Sequence, residues 1–258
     1  MDVANRKMTE RFWDEAAHGY REQFHSVFDR DRGNVVQSCI EQVASAGPAA
    51  ADLGCGVGLW LAALAQRFER VTAVDISRRS LAQARRQAQA FDHVRYVQAD
   101  LTKPGVRLPR VDVVLSVNAI IMPSESKRAA FWSNLQRCVR RGGKLVLITP
   151  ALESAMMVNH RLAQWHRRDG ASHAQAWRDE GGAKATTLAD LRRGILAIDH
   201  TPTKFHMKEE LAMLLDEHRF VVESINKVEY DWTSEFESPP RWMRGPYPWD
   251  WLAVATRR

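Results

Sequence analysis

Residues 52–58 read D-L-G-C-G-V-G and directly follow a short apolar run. Three glycines spaced two apart let the backbone leave a strand, turn sharply and open a helix, because a residue without a Cβ adopts positive φ at little cost. The missing side chains also let a ligand approach the backbone closely. The stretch therefore predicts a strand, a turn and a helix, with a ligand against the turn; tight packing without a ligand is the alternative.

The spacing of these glycines indicates the class of cofactor. A dinucleotide-binding fold carries G-x-G-x-x-G, in which a helix N-terminus faces a pyrophosphate. This chain carries G-x-G-x-G after Asp52. A carboxylate at that place repels a pyrophosphate and suits a ligand with an ammonium or sulfonium group. The spacing therefore favours a cofactor other than a dinucleotide.

Acidic residues follow two further predicted strands. Residues 71–75 (V-T-A-V-D) form a predicted second strand that ends in Asp75, the place where doubly wound sheets hold a ribose diol. A third predicted strand, 94–97, leads to Asp100 in Q-A-D-L. Either acid alone could be a helix cap or a turn residue. In register with Asp52, they predict one cleft at the strand ends.

In these motifs the chain resembles the class I S-adenosylmethionine-dependent methyltransferases of the small-molecule type. Two further blocks match the family's fourth and fifth strands, residues 111–118 (V-D-V-V-L-S-V-N) and 140–150 (R-R-G-G-K-L-V-L-I-T-P). The resemblance covers roughly residues 34–150 and is specific because the motifs follow in order. It implies an α/β fold: a doubly wound, Rossmann-like, mostly parallel sheet with an antiparallel C-terminal hairpin and a helical insertion after strand 5.

The resemblance also implies the cofactor and the roles of its site. The cofactor is S-adenosylmethionine, S-adenosylhomocysteine is the product, and no metal is required. The glycine turn passes the methionine moiety, Asp75 binds the ribose hydroxyls and Asp100 bonds the adenine amino group. The implied cofactor-binding residues are Asp52, Gly54, Cys55, Gly56, Gly58, Asp75, Ile76, Asp100, Leu101, Val117 and Tyr20.

We expect one methyltransferase domain over residues 1–258. Its parts are an N-terminal cap (1–33), a cofactor-binding core (34–150), an inserted lid or substrate segment (151–206) and a closing helix and hairpin (207–258). Apolar periodicity predicts helices over 34–46, 59–68, 77–91, 124–139, 152–168 and 208–218, the fourth stopped by Gly142 and Gly143. The C-terminal hairpin is predicted over 220–230 and 251–256.

Two segments are candidate lids. Residues 12–20 resemble the aromatic helix that many small-molecule methyltransferases fold over the cofactor, with Tyr20 at the matching position; the alternative is that Phe12, Trp13 and Tyr20 only cover the sheet. Residues 151–205 exceed what a minimal fold needs, and an insertion after a strand's carboxyl end is typical of a lid or substrate pocket. The spacing of its histidines disfavours a metal site, because their side chains lie on different helix faces.

Catalytic residues are harder to predict, because methyl transfer chiefly requires alignment and exclusion of water. By the resemblance, Asn118 is directed at the transfer site, and His160 in the inserted segment is a candidate general base. Asn118 could instead cap a turn, and His160 could be structural.

The absence of known motifs narrows the chemical class of the methyl acceptor. The loop after the fourth strand reads S-V-N-A-I-I-M-P, and the chain lacks the motifs of enzymes that methylate bases, glutamine, protein arginine or metal-bound catechols. A small metabolite methylated on N, O or S is favoured. Aromatic residues near the C-terminus suit a planar or apolar acceptor, although they could equally form core or a dimer face: Trp232, Phe236, Trp242, Tyr247 and Trp249.

Bulk composition agrees with a cytoplasmic enzyme, and the sequence leaves open whether it is a monomer or a homodimer. The 258 residues include no signal-peptide core, no apolar run of about 18 residues and no C-x-x-C pair among Cys39, Cys55 and Cys138. The formal charge of +6 is spread along helices, so nucleic acid is an unlikely partner. An RNA methyltransferase or RNA-binding protein and a non-catalytic regulatory subunit remain the alternatives.

Overall fold

The computed structural model describes residues 8–19, 27–178, 184–185, 187–198 and 200–258. Its strands are β1 (Ala49–Leu53), β2 (Arg70–Asp75), β3 (Val94–Gln98), β4 (Val111–Val117), β5 (Val139–Pro150), β6 (Ile195–Ile198), β7 (Thr201–Lys204), β8 (Phe220–Glu229) and β9 (Trp249–Arg257). Its α-helices are α1 (Glu10–Ala16), α2 (Val27–Arg30), α3 (Val35–Val43), α4 (Leu61–Ala65), α5 (Arg78–Gln87), α6 (Glu125–Cys138), α7 (Leu152–Arg168), α8 (His173–Ala176), α9 (Leu188–Arg192) and α10 (Lys208–Glu217).

Seven strands form one sheet in the order β3-β2-β1-β4-β5-β9-β8. The first five pair in parallel, and β9 lies antiparallel between β5 and β8. The strand order reverses between β1 and β4, and open α/β sheets place their ligand crevice at such a point. The predicted fold, a mostly parallel Rossmann-like sheet with an antiparallel C-terminal hairpin, is confirmed.

Helices cover both faces of this sheet. The central strand β1 is buried at every position, as expected for a parallel strand between two layers. On one face Ile40, Leu64 and Leu81 of α3, α4 and α5 pack into a single core. On the other face Trp132 of α6 and Leu211 of α10 belong to a second core. The two layers fix the strand ends on which the site is built.

The start of α5 agrees with the sequence, because Ser77 provides a cap there. Ser77 caps α5, and its Oγ accepts a hydrogen bond from Ser80 N at 3.0 Å. The predicted stop of α6 at Gly142 and Gly143 is wrong: α6 ends at Cys138 and both glycines lie inside β5. A Cβ on Gly143 would meet the Asp112 carbonyl at 2.8 Å, so glycine there permits close approach of neighbouring strands.

The inserted segment contains the predicted helix and a feature that was not predicted. Helix α7 spans Leu152–Arg168 as expected, but β6 and β7 then form a separate two-stranded antiparallel sheet. The predicted helical insertion after strand 5 is present, and the two-stranded sheet is an addition to it. On α7, Ala155 packs with Leu196 and Phe205, whereas Val158 packs with Trp232 and Met243. Helix α7 thus joins the hairpin to the connection between β8 and β9.

The N-terminal helix α1 is fixed at the start of α5. Asp14 Oδ1 accepts hydrogen bonds from Ser77 Oγ at 2.6 Å and from Arg79 N at 3.1 Å. Gln83 Nε2 donates to the Ala17 carbonyl at 2.7 Å. These contacts hold α1 beside the carboxyl end of β2. Tyr20, predicted to contact the cofactor, lies outside the described residues.

Surface features are consistent with the solvated basic helix expected from sequence. Arg78, Arg79, Arg85 and Arg86 of α5 are exposed. Within the described ranges, no helix is both long enough and apolar enough to traverse a bilayer. In the same part of the chain, no three His, Cys, Asp or Glu side chains gather as metal ligands would.

Candidate active site

The glycine turn after β1 adopts a conformation that requires glycine. Gly54, Gly56 and Gly58 have φ values of 81°, 51° and 86°. A Cβ on Gly54 would collide with the Ala119 side chain, and one on Gly58 would meet Ala84 of α5 at 2.8 Å. Gly54 N donates to the Val74 carbonyl at 2.8 Å, which ties the turn to β2. The turn is therefore closely packed on its inner side.

Asp75 at the end of β2 holds the other side of this turn. Its Oδ2 accepts a hydrogen bond from Gly56 N at 2.8 Å, and its Oδ1 accepts one from Ser77 N at 2.8 Å. Burial raises the pKa of Asp75, and these backbone hydrogen bonds partly oppose the rise because they favour the carboxylate. The carboxyl group is thus oriented at the sheet edge by main-chain donors.

Asp52 lies beneath the turn. It is 2% exposed, and its Oδ2 has no hydrogen-bond partner among the described residues. Burial raises the pKa of Asp52 to about 8, with a further contribution from the charge of Asp75. A buried carboxyl group with an unsatisfied oxygen costs free energy unless a ligand or a proton compensates it.

Asp100 lies two residues beyond β3. Its Oδ1 accepts hydrogen bonds from Thr102 N at 3.0 Å and from Thr102 Oγ1 at 2.6 Å, while Lys103 Nζ lies 3.9 Å from its Oδ2. The local turn fixes one oxygen of Asp100 and leaves the other able to accept from a ligand.

These elements line an open cleft of about 700 Å³, with the solvent at its mouth included, at the carboxyl ends of the parallel strands. The predicted residues on its wall are Gly54, Gly56, Asp75, Ile76, Asp100, Leu101, Val117 and Asn118. Asp52 lies in β1, Cys55 and Gly58 lie in the turn, and none of the three lines this cleft. Met8 and Trp13 of the N-terminal segment line it too, so α1 covers part of the cleft.

A second cavity adjoins the first. It spans about 1210 Å³, open solvent included, between β9, α7 and the segment after β8, and Asn118 lines both cavities. Asn118 has a φ of 48° and hydrogen-bonds through its backbone N to the Ile148 carbonyl at 2.9 Å. Its position at the end of β4 therefore joins the two spaces.

Comparison with known proteins identifies this arrangement. Residues 50–143 match a family model described as a methyltransferase domain. The malonyl-[acyl-carrier protein] O-methyltransferase of Enterobacter lignolyticus is 36% identical over 123 residues, 48% of this chain and 46% of the relative. An uncharacterised methyltransferase of Mycobacterium tuberculosis is 34% identical over 133 residues, 50% of this chain and 62% of the relative. The chain thus spans about half the length of the first curated relative it matches.

Comparison of the fold with solved structures agrees with the match in sequence. The DhpI–SAH complex superposes with a TM-score of 0.60 at 18% identity, covering 96% of this chain and 95% of that one. Residues 50–143 therefore match a methyltransferase domain, and the whole chain shares the fold of the DhpI–SAH complex. The matched residues 50–143 include the glycine turn, Asp75, Asp100 and Asn118, and they end inside β5. The second cavity is built largely from residues beyond the match.

Two residues of the second cavity were not anticipated from the sequence. Asp250, the second residue of β9, is 7% exposed. Its Oδ2 accepts hydrogen bonds from Asn118 Nδ2 at 2.9 Å and from Tyr230 Oη at 2.8 Å. Burial first, and then the neighbouring Asp250 charge, raise the pKa of Tyr230 well above its usual value, so the phenol stays protonated and donates. An acid between two tryptophans, W-D-W, was the available sequence signal.

His160, the predicted general base, lies away from both cavities. Its side chain is exposed, and its ring centroid is 5.9 Å from that of Trp177. Ser154, Ala155 and Val158 form the cavity-lining face of α7. Residue 160 follows Val158 by two positions, about 200° around the helix, which turns it to the opposite side. The structure does not support His160 as a base.

Proposed function

We propose that this chain is a methyltransferase that binds S-adenosylmethionine in the first cleft and transfers its methyl group to an N, O or S atom of a small molecule in the second cavity. The observation that carries this proposal is the position of Asn118, which lines both spaces. A cofactor and an acceptor on either side of Asn118 would meet at contact distance, which is the main requirement of an in-line methyl transfer.

The chemistry of the first cleft fits this cofactor. Asp75 and Asp100 offer carboxylate oxygens for ribose hydroxyls and an adenine amino group, and the bare backbone at Gly54 and Gly56 permits close approach. Among the described lining residues, no Lys or Arg is present to hold a pyrophosphate. An acidic cleft favours a ligand with sulfonium and ammonium charges over a dinucleotide.

Each part of the chain has a defined task in the proposed reaction. When bound, the cofactor supplies an electrophilic methyl group on a sulfonium. The glycine turn and Asp75 would hold the cofactor in one orientation, and Trp13 and Met8 would exclude water from above. Asn118 would align the acceptor, and the apolar wall of the second cavity would bind its body.

The E. lignolyticus relative is named for O-methylation of a carrier-bound malonyl group, which supports methyl transfer as the reaction class. Since this chain spans less than half of that protein, the relative does not define the acceptor here. No feature of the described residues specifically favours the alternatives of an RNA methyltransferase, an RNA-binding protein or a non-catalytic subunit.

Calorimetric titration with S-adenosylhomocysteine tests the cofactor site. We expect micromolar binding to the wild type and at least about tenfold weaker binding to Asp75→Asn, a loss of about 1.4 kcal/mol or more. Asp169→Asn, an exposed acid at the end of α7, is the matched control and should bind as the wild type does. NAD should not bind.

Absence of S-adenosylhomocysteine binding to a folded wild type, or preference for NAD, would contradict the proposal. Thermal unfolding of each variant separates a lost contact from a lost fold. Tight cofactor binding without turnover across a broad acceptor panel would instead favour the non-catalytic alternative.

A further inference from the structure

The second cavity carries negative charge and hydrogen-bond acceptors. Its described lining includes Asp250 and Glu235 but no Lys or Arg. Glu235 is exposed at the rim, but the surrounding protein desolvates its carboxyl group, which raises the pKa of Glu235. Two cations lie near the cavity but do not line it. Arg30 lies close to Glu235 and donates to the Thr233 carbonyl at 3.1 Å. Lys227 packs on the Trp249 ring. A carboxylate or phosphate acceptor would therefore enter against like charge.

Two acceptor oxygens in the cavity wall are unsatisfied. Asp250 receives both of its hydrogen bonds on Oδ2, and its Oδ1 receives none from the described residues. Asn118 donates through Nδ2 to Asp250, so the amide is oriented with its Oδ1 as the acceptor. This Oδ1 is buried and has no hydrogen-bond partner among the described residues. A buried acceptor such as Asn118 Oδ1 requires a donor from a ligand or from water, and Asp250 Oδ1 can accept a hydrogen bond at the same place.

We propose that the methyl acceptor is an amine on an aromatic or apolar body, with Asp250 as the catalytic residue that receives its proton. This inference rests on the proposed function and names its acceptor class. An ammonium or amine nitrogen supplies the N–H donors that Asp250 Oδ1 and Asn118 Oδ1 lack. Phe205, Tyr230 and Trp249 offer apolar and aromatic wall for the body of the ligand.

Methyl transfer to an amine needs only the amine, S-adenosylmethionine and Asp250 as the proton acceptor. The acceptor enters as R–NH3⁺ and gives one proton to Asp250, which frees the nitrogen lone pair. That pair forms the N–CH3 bond while the C–S bond breaks and its electrons stay on sulfur, giving neutral S-adenosylhomocysteine. The nitrogen becomes R–NH2CH3⁺, and Asp250 then releases its proton to solvent. Tyr230 is a positioning residue, because it holds Asp250 through Oδ2; Asn118 holds the same oxygen and also accepts from the amine.

A matched ligand series tests the charge preference. Tryptamine, tryptophol and indole-3-propionate share one body and differ in an ammonium, a hydroxyl or a carboxylate; phenyl-bodied counterparts form a second series. We expect the amines to bind the S-adenosylhomocysteine-loaded protein at least about tenfold more tightly than the carboxylates. The amines alone should become methylated with S-adenosylmethionine. Carboxylates binding as well as amines, or no amine binding in either series, would overturn the acceptor class.

Variants test the assigned residues. Asp250→Asn should abolish the preference for amines over alcohols, and Tyr230→Phe should reduce it several-fold. Glu237→Gln removes an exposed acid of the same segment and should leave the preference unchanged. S-adenosylhomocysteine affinity should persist in all three variants, whereas a collapsed site would lose it.

The outcomes separate the two proposals. Retention of the amine preference in Asp250→Asn would overturn the assignment of Asp250. Intact cofactor binding without an amine preference in the wild type would overturn only the acceptor class. Failure of the wild type to bind S-adenosylhomocysteine would overturn the proposed function and this inference together.

Discussion

Asn118 Nδ2 donates a 2.9 Å hydrogen bond to Asp250 Oδ2, and this contact joins the end of β4 to the start of β9 across 132 residues of chain. It places a residue of the cofactor cleft in direct contact with a buried acid of the second cavity. A change in either residue should therefore affect how the acceptor is held, while the glycine turn stays in place.

The backbone of Asn118 predicts an unusual order of stabilities. At a φ of 48°, a residue with a Cβ is strained, although Asn tolerates this region and glycine does so freely. Asn118→Ala should be less stable than Asn118→Gly by about 1 kcal/mol, the reverse of the order in an ordinary helix. Urea denaturation of both variants measures this, and an alanine variant of equal or greater stability would show that the backbone relaxes.

Trp13 should report on occupancy of the cofactor cleft. It lies on α1 and lines the cleft, so a bound adenosyl group would change its surroundings. Addition of S-adenosylhomocysteine should change tryptophan emission in the wild type, and Trp13→Phe should lose most of that change. Trp177→Phe is the control, because Trp177 is 57% exposed and lines neither cavity. An undiminished signal in Trp13→Phe would count against the cap covering the cofactor.

The close packing of the glycine turn should make Gly54 irreplaceable. Gly54 and Gly105 have similar φ values, 81° and 76°, but a Cβ on Gly54 collides with Ala119, whereas one on Gly105 meets nothing within 4 Å. Gly105→Ala should therefore cost about 1 kcal/mol of backbone strain and keep cofactor binding. Gly54→Ala should cost more and should lose S-adenosylhomocysteine binding. Equal effects in the two variants, measured by denaturation and calorimetry, would refute the role of the close contact.

The cofactor half of the site could be predicted because its signals are local. A glycine turn follows β1, Asp75 ends β2 and Asp100 follows β3. The apolar periodicity of the strands and the turn residues at their ends identify these positions without knowledge of the tertiary structure. Parallel strands then bring their carboxyl ends to one edge. The sequence thus predicts that Asp75, Asp100 and Asn118 share one cleft, where the structure places them, and their roles toward a cofactor stay predictions.

The acceptor half could not be predicted, because it depends on pairing between distant segments. Asp250 reaches Asn118 only because β9 inserts antiparallel between β5 and β8, which also places Tyr230 beside it. His160 was chosen for its chemistry alone, and the helical phase of α7 directs it to solvent. The hairpin of β6 and β7 consists of two four-residue strands, too short for a clear period.

The pKa of Asp52 predicts how stability depends on pH. Burial, and then the charge of Asp75, raise this pKa from an ordinary value of 3.8 to about 8. Between these values the folded protein keeps a proton that the unfolded chain has released, so rising pH favours unfolding. The raised pKa of Asp75 acts in the same direction. The free energy of unfolding should therefore fall across this window by at most about 1.4 kcal/mol per pH unit for each group, and it should level off above the folded pKa.

Asp52→Asn removes the Asp52 part of this dependence. The difference in unfolding free energy between wild type and Asp52→Asn should move in favour of the variant as the pH rises from about 5 to about 8, since the variant has no carboxyl group to ionise under the turn. Asp169→Asn, which removes an exposed acid, should keep the wild-type pH dependence. Urea denaturation at a series of pH values gives these curves. Parallel curves for wild type and Asp52→Asn would mean that Asp52 is ionised throughout, and that a cationic partner compensates its charge in the folded protein.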